Sequence, residues 1–382
     1  MEHLVRVHQR IRRGQSWTMQ GDVHGGRAQL ALIFSSPELL REQSTWDQLR
    51  AMYPGTRLVA CSTAGEIADT DVLDDSIVCT GIAFEHSRVA VSAALLNEAN
   101  SDAERGELLV ARLPQEDLVH LLVLSDGLTV NGSALVAGIV SRLPAGVAVT
   151  GGMSGDGTRF QRTAVCLDGP EPSEQIVAIG LYGSRLRVGM GSMGGWDPFG
   201  PERRITRSDG NVLHELDGEP ALDLYKRYLG DHSASLPASG LLFPLAIRAD
   251  GSEDQPVVRT ILAVDEAAKT LTFAGDIPVG YRARLMRANL ERLVDGAMGA
   301  ARISRGDPLS DSPDLALLIS CVGRKLVLKQ RVEEEVEAVR EILGARTTLT
   351  GFYSYGEISP FTATARCELH NQTMTITTLS ER

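Results

Sequence analysis

Short, wholly apolar runs alternate along this chain with stretches whose apolar residues recur at helical spacing, and the alternation occurs three times. The run QLALIFSS (29–36) reads as a buried strand. It stops at Ser35-Ser36-Pro37-Glu38, where a hydroxyl residue followed by proline predicts a helix start. Leu39, Trp46, Leu49 and Tyr53 then share one helical face, and TRLVACSTAGEI (56–67) forms a second strand ending on Gly65-Glu66. A strand, a helix and a strand joined over this length predict a parallel crossover.

The plan recurs twice. LVHLLVLSDG (118–127) is followed by Leu135, Val136, Ile139, Val140 and Leu143 on one face, then by AGVAVTGGMSGDG (145–157), which closes on Gly155-Asp156. DLALLISC (314–321) is followed by a helix carrying Val332, Val336, Val339 and Leu343, then by TTLTGFYSYGEI, which closes on Gly356-Glu357. Ser35 to Gly65 and Ser125 to Gly155 are each 30 residues. Ser320 to Gly356 is 36, the extra length lying in the helix entry VGRKLVLKQRVEEE. Parallel strands place their carboxyl ends on one edge, where open α/β sheets bind ligands. The residues expected there are Ser35, Ser62, Thr63, Gly65 and Glu66; Ser125, Asp126, Ser154, Gly155 and Asp156; and Ser320, Tyr353, Ser354, Tyr355, Gly356 and Glu357. The acids serve either a ligand pocket or the capping of the next element and its turns.

Beyond the Gly-acid pairs, DSIVCTGIAFEHSRVAVSAALL (75–96) matches EQIVAIGLYGSRLRVGMGSMGG (174–195), and each predicts a hairpin. ARCELHNQTMTITTL (365–379) carries two strand-like runs about His370-Asn371. The stretch between the second and third units predicts a hairpin over 203–218 turning at Asp-Gly-Asn, a helix over 219–230, a hairpin around VDEAAKTL and a helix over 282–298. The fold class is therefore α/β: repeated β-α-β plus hairpin units in two mixed-sheet domains. One covers 27–220 with two internal repeats and the other 221–380 with the third unit. The units pack as two open sheets or swap hairpins between halves.

Composition narrows the chemistry. Hydrophobic residues at 43% and charged residues at 23% describe a globular protein. No apolar run approaches the roughly 18 residues of a membrane span. The N-terminal MEHLVRVHQRIRRGQSW has too short an apolar core for a secretory signal and reads as a first strand or a basic arm. A net charge of −11 without a dense basic patch argues against nucleic acid. Five scattered cysteines (Cys61, Cys79, Cys166, Cys321 and Cys367) never form a C-x-x-C pair, which points to free thiols in a reducing compartment and a cytoplasmic address. GMGSMG (189–194) matches a dinucleotide fingerprint, but Gly195-Trp196-Asp197-Pro198 blocks the helix it needs. None of the eight histidines pairs with another at ligand spacing; His214 and His370 stand out by position. Glu66, Asp156 or Glu357 as the general base of a hydrolase or lyase remains an alternative.

TAGEI, GGMSGDG, GFYSYGEISP and LHNQTMTITTL resemble the signatures of FIST sensory proteins, over about residues 27–380. FYSYGEI followed by HNQT is the most specific part, and FPLAI and GEPALDLYKRYL fit as well. The resemblance implies N- and C-terminal FIST domains and a non-catalytic role in bacterial signal transduction. It further implies that a small molecule such as an amino acid is bound and that a histidine kinase or a cyclic-di-GMP enzyme (a diguanylate cyclase or phosphodiesterase) is regulated. Some stand-alone members are haem proteins that sense nitric oxide. This chain shows no kinase, receiver or cyclase segment and is similar to them, so haem b is the expected cofactor, with an amino acid or similar polar metabolite as the alternative ligand. His370 and His214 are the haem-ligand candidates, although the resemblance transfers no axial residue. Output through a separate partner protein follows, without membrane insertion. A purely structural interaction module is the remaining class.

Overall fold

The computed structural model describes residues 4–21, 28–170, 172–251, 256–307, 311–360 and 367–382. Residue 27 and residues 365–366, the start of the last expected strand run, lie outside the described residues. All three expected crossovers form. Leu30–Ser35 pairs parallel with Arg57–Ser62, Leu118–Ser125 with Ala148–Met153, and Leu315–Cys321 with Thr348–Ser354. Helices Pro37–Arg41 with Gln43–Met52, Gly132–Arg142, and Val332–Leu343 make the connections. These strands are buried along nearly their whole length because both of their faces are covered. On the inner face Leu32 and Phe34, Leu122 and Leu124, and Leu317 and Ile319 meet in one core shared by the three units. On the outer faces the helices cover the strands, as Trp46 and Leu49 do in the first unit.

Each pair sits in its own six-stranded sheet, and the sheets exchange strands in a cycle. After its second strand the first unit sends Glu66–Ala68 to the third unit's Thr348–Ser354. The third unit sends Gly356–Pro360 to Ala148–Met153 of the second, and the second sends Val165–Leu167 to Arg57–Ser62 of the first. The chain then returns along its own first strand, through Ser76–Phe84, Gln175–Tyr182 and Met374–Glu381.

The hairpins expected over 75–96 and 174–195 do not form. Ser76–Phe84 is buried at all nine positions and needs a neighbour on each side. One neighbour is its own first strand, and the other is Val5–Arg13. The strand that would have closed the hairpin, Arg88–Leu95, instead crosses to Gln175–Tyr182, and Leu186–Met193 crosses to Met374–Glu381. Both become sheet edges, which suits their half-exposed alternating pattern. Val5–Arg13, the expected first strand, fills the corresponding place in the first sheet. Three units thus surround a pseudo-threefold axis, and the hairpins are swapped.

A fourth sheet, of eight strands, spans Trp196–Asp209 to Arg282–Ala288 and closes over helix Ala221–Leu229 around its own core. The expected hairpins at 203–218 and around VDEAAKTL are present in it. The helix expected over 282–298 is instead strand Arg282–Ala288 followed by helix Leu290–Arg305. Arg282-Ala283-Arg284-Leu285 alternates with period two, and the Asn289 side chain caps the helix by accepting from Arg292 N–H at 3.3 Å.

Candidate functional site

Just past its second strand, each unit bonds to its neighbour. Ala64 N–H donates to the Tyr353 carbonyl at 2.8 Å, Tyr355 N–H to Met153 at 3.1 Å, and Gly155 N–H to Ser62 at 2.9 Å. The three bonds close a ring at the carboxyl ends of the parallel strands, so the expected edge exists. Gly155 fits that ring closely: an added Cβ would lie 3.0 Å from the Ala64 nitrogen and 3.2 Å from the Tyr355 ring.

Two of the three acids flank this ring in matching brackets. Glu66 accepts from the Thr63 hydroxyl at 2.5 Å, and from the Ser76 hydroxyl at 2.6 Å and N–H at 3.2 Å. Glu357 accepts from the Ser354 hydroxyl at 2.5 Å, and from the Thr373 hydroxyl at 2.9 Å and N–H at 3.1 Å. Each carboxyl ties the start of an exported strand to the start of the returning one. Burial pushes the Glu66 carboxyl up to about 7 and that of Glu357 up to about 8, despite these donors.

Asp156 is not the third copy of this bracket. Strand register places Glu66 opposite Phe352 and Glu357 opposite Gly152; the corresponding partner in the first sheet, Cys61, faces Val165. The second unit inserts a loop before its exported strand, and Asp156 opens that loop. There it accepts from the Tyr355 hydroxyl and from the N–H groups of Phe160, Gln161 and Arg162 at 2.8–2.9 Å. Burial alone would raise its carboxyl, but the Tyr355 and backbone donors outweigh it and hold Asp156 below the ordinary range. Ser154, the counterpart of Thr63 and Ser354, has a buried hydroxyl without a partner. Val165 stands where a carboxylate would have received it.

The remaining expected residues are buried too. Ser35 donates to the Ser76 carbonyl at 2.7 Å, Ser62 accepts from Ala164 N–H at 2.9 Å, and Ser125 makes a long bond of 3.3 Å to the Asp126 carbonyl. Asp126 caps its own turn, accepting from Leu128 N–H at 3.0 Å and Thr129 N–H at 2.7 Å. Gly65 takes φ 140°, and Lys325 Nζ lies where its Cβ would be. Gly356 packs against Met153 and Leu369.

Ser320 and Tyr353 lead to a group that motif reading missed. Their hydroxyls donate to Glu335 at 3.0 and 2.7 Å, and Glu335 pairs with Arg324 at 2.7 Å, both charges fully buried. Arg324 also donates to the Gly194 and Leu293 carbonyls at 2.9 and 2.6 Å. The signal was the longer helix entry of the third unit, VGRKLVLKQRVEEE, which carries both charges.

None of the expected edge residues lines either of two cavities beside the fourth sheet. One, of about 260 Å³, lies between Ile247, Val257 and Arg259 of the fourth sheet and Cys367–Leu369. The other, of about 590 Å³, lies between Trp196, Val258 and Met286 and the residues Met193, Arg292 and Thr373. His370 is fully buried, its Nε2 2.7 Å from the Ser359 carbonyl, and burial lowers its pKa to about 4. His214 is half-buried on Val212–Leu216. Neither histidine lines either cavity. Among the described residues no cluster of His, Cys, Asp and Glu could hold a metal ion, and no helix is long and apolar enough to cross a membrane. No disulfide links the cysteines.

Comparison with known proteins agrees with the resemblance. The FIST N domain matches residues 29–219 and the FIST C domain residues 221–360, the junction falling inside the fourth sheet. An uncharacterized protein of Methanocaldococcus jannaschii is 23% identical over 344 residues, 82% of this chain and 63% of that protein. Uncharacterized proteins of two Mycobacterium tuberculosis strains are 25% identical over 256 residues, 63% of this chain and 63% of their own length. The chain thus spans about 63% of the length of the curated relatives it matches. With both domains matched across most of its length, the chain belongs to the FIST family of sensory signalling proteins.

Proposed function

We propose that this protein is a non-catalytic sensor that binds a small polar metabolite at the seam between the fourth sheet and the threefold core, and reports occupancy to a separate signalling protein. The family points to a histidine kinase or a cyclic-di-GMP enzyme in the cytoplasm as that partner. The observation that carries the reading is where the cavities lie. Cys367 and Leu369, in the wall of the smaller, belong to the strand paired with the exported Gly356–Pro360. Thr373, in the wall of the larger, is the residue that holds Glu357. An occupant of either cavity touches what joins the third unit to the second, and by binding one arrangement better than another it shifts their balance.

The acids favour binding over turnover. The carboxyl oxygens of Glu66 and Glu357 are engaged by fixed donors and neither acid lines either cavity, so neither meets a substrate proton. The described residues do not fit haem at the candidate histidines. His370 has its Nε2 held by a carbonyl, and neither it nor His214 lines either cavity. The test is an absorption spectrum from 350 to 650 nm with haem and nitric oxide added, beside a thermal-shift screen of polar metabolites. The expected outcome is no stoichiometric Soret band and a melting temperature raised by at least one metabolite. A stoichiometric band that moves with nitric oxide would overturn the reading in favour of a haem sensor.

A further inference from the structure

Two arginines of this protein are almost wholly buried near the seam, and they are treated differently. Arg324 is closed by Glu335 and by two carbonyls. Arg259, 6% exposed, donates Nε to the Asp276 carbonyl at 3.1 Å and one terminal nitrogen to the Leu369 carbonyl at 2.8 Å, and makes no ion pair among the described residues. Its second terminal nitrogen has no bond of its own and is not sealed from the cavity of about 260 Å³ whose wall Arg259 forms. Gly275 makes room for the guanidinium: a Cβ there would lie 3.0 Å from Nε.

A buried cation without an anion is costly, and proteins that keep one usually supply the anion from elsewhere. Among the described residues, the acids nearby do not close on it. The Asp276 side chain is engaged by Asn131 at 2.9 Å, and Glu368, also in the cavity wall, makes no ion pair with the guanidinium. Burial lowers the Arg259 pKa to about 10, as expected of a desolvated cation that its neighbours only partly offset.

We infer that this cavity binds a small organic acid, with the ligand carboxylate on the guanidinium of Arg259. Val136, Ile247, Val257 and Leu369 supply an apolar wall for its short carbon skeleton. Glu368 opposes a second negative charge and favours a hydroxyl or ammonium donor at the ligand's other end. The volume lies just below the roughly 300–1,000 Å³ of drug-sized ligand clefts and suits a small metabolite. Carboxylate binding deepens the sensor reading, and only its signalling consequence rests on that reading.

The experiment is calorimetric titration of the full chain at constant ionic strength with acetate, glycolate and glycine, using acetamide and inorganic phosphate as controls. Acetate should bind, glycolate or glycine should bind more tightly, and acetamide and phosphate should bind at least tenfold more weakly. Arg259→Gln should weaken the carboxylates tenfold or more, the effect of losing a charge-assisted bond. Ala137→Phe, at an exposed position on the cavity wall, should block the same ligands without touching the arginine, and keeps the test open if the first variant fails to fold. Acetamide binding as well as acetate, or carboxylate affinity unchanged in Ala137→Phe, would overturn the assignment. So would the absence of heat from every carboxylate at tens of millimolar. In that last case the sensor reading stands or falls separately, on the metabolite screen.

Discussion

Glu66 and Glu357 on one side and Asp156 on the other share a Gly-acid spelling and a place beyond a parallel strand, yet their surroundings drive them in opposite directions. The two glutamates face hydroxyls and one N–H in closed brackets, where burial dominates and the carboxyl keeps its proton to near-neutral pH. Asp156 collects three backbone N–H groups and the Tyr355 hydroxyl, and stays ionised. The difference teaches that the partners decide the role, and that two of the three acids fasten the exported strand of a unit to the strand that returns through it.

The comparison breaks most visibly when a bracket is emptied. Glu357→Leu leaves the Ser354 hydroxyl and both Thr373 donors buried without an acceptor and should cost about 3–5 kcal/mol in chemical denaturation. A loss under about 1 kcal/mol would mean that the bracket contributes little. Tyr355→Phe removes the hydroxyl that serves Asp156 and the Gly157 carbonyl, and should cost about 2 kcal/mol by the same assay. The smallest pair sharpens the contrast most. Ser354→Ala should cost about 1 kcal/mol, whereas Ser154→Ala, whose hydroxyl has no partner, should be neutral or slightly stabilising. Equal costs at the two serines would sink the claim that the second unit has lost its bracket.

The sequence disclosed the three crossovers because mainly apolar strands and helical faces such as Val332, Val336, Val339 and Leu343 leave a strong local signature. It did not disclose which strand would pair with which. Ser76–Phe84 and Arg88–Leu95 look like a hairpin, since nothing in either shows that a strand from the chain's beginning claims the intervening place. The equal 30-residue spacing also misled. Ser35 stands beside Ser62 but Ser125 beside Met153, so one residue of register separates Asp156 from the glutamate position. Arg259 was beyond sequence reasoning altogether, because its isolation depends on which acids the fourth sheet turns away from it.

Proton linkage tests the closed brackets most directly. A carboxyl raised in the folded state binds more protons there than in the unfolded chain, so its contribution to stability falls as pH rises from its ordinary value of 4.5 through about 7 for Glu66 and about 8 for Glu357. Asp156 acts in the other window: its contribution is present above its ordinary 3.8 and is lost only as pH falls through its lower folded value. The decisive measurement is the unfolding free energy of wild type and of the Glu66→Gln/Glu357→Gln double variant at steps between pH 5 and 8. Wild type should lose stability relative to the double variant as pH rises across that range. Parallel curves would contradict the account, because they would mean that both carboxyls ionise as freely in the folded protein as in the unfolded chain.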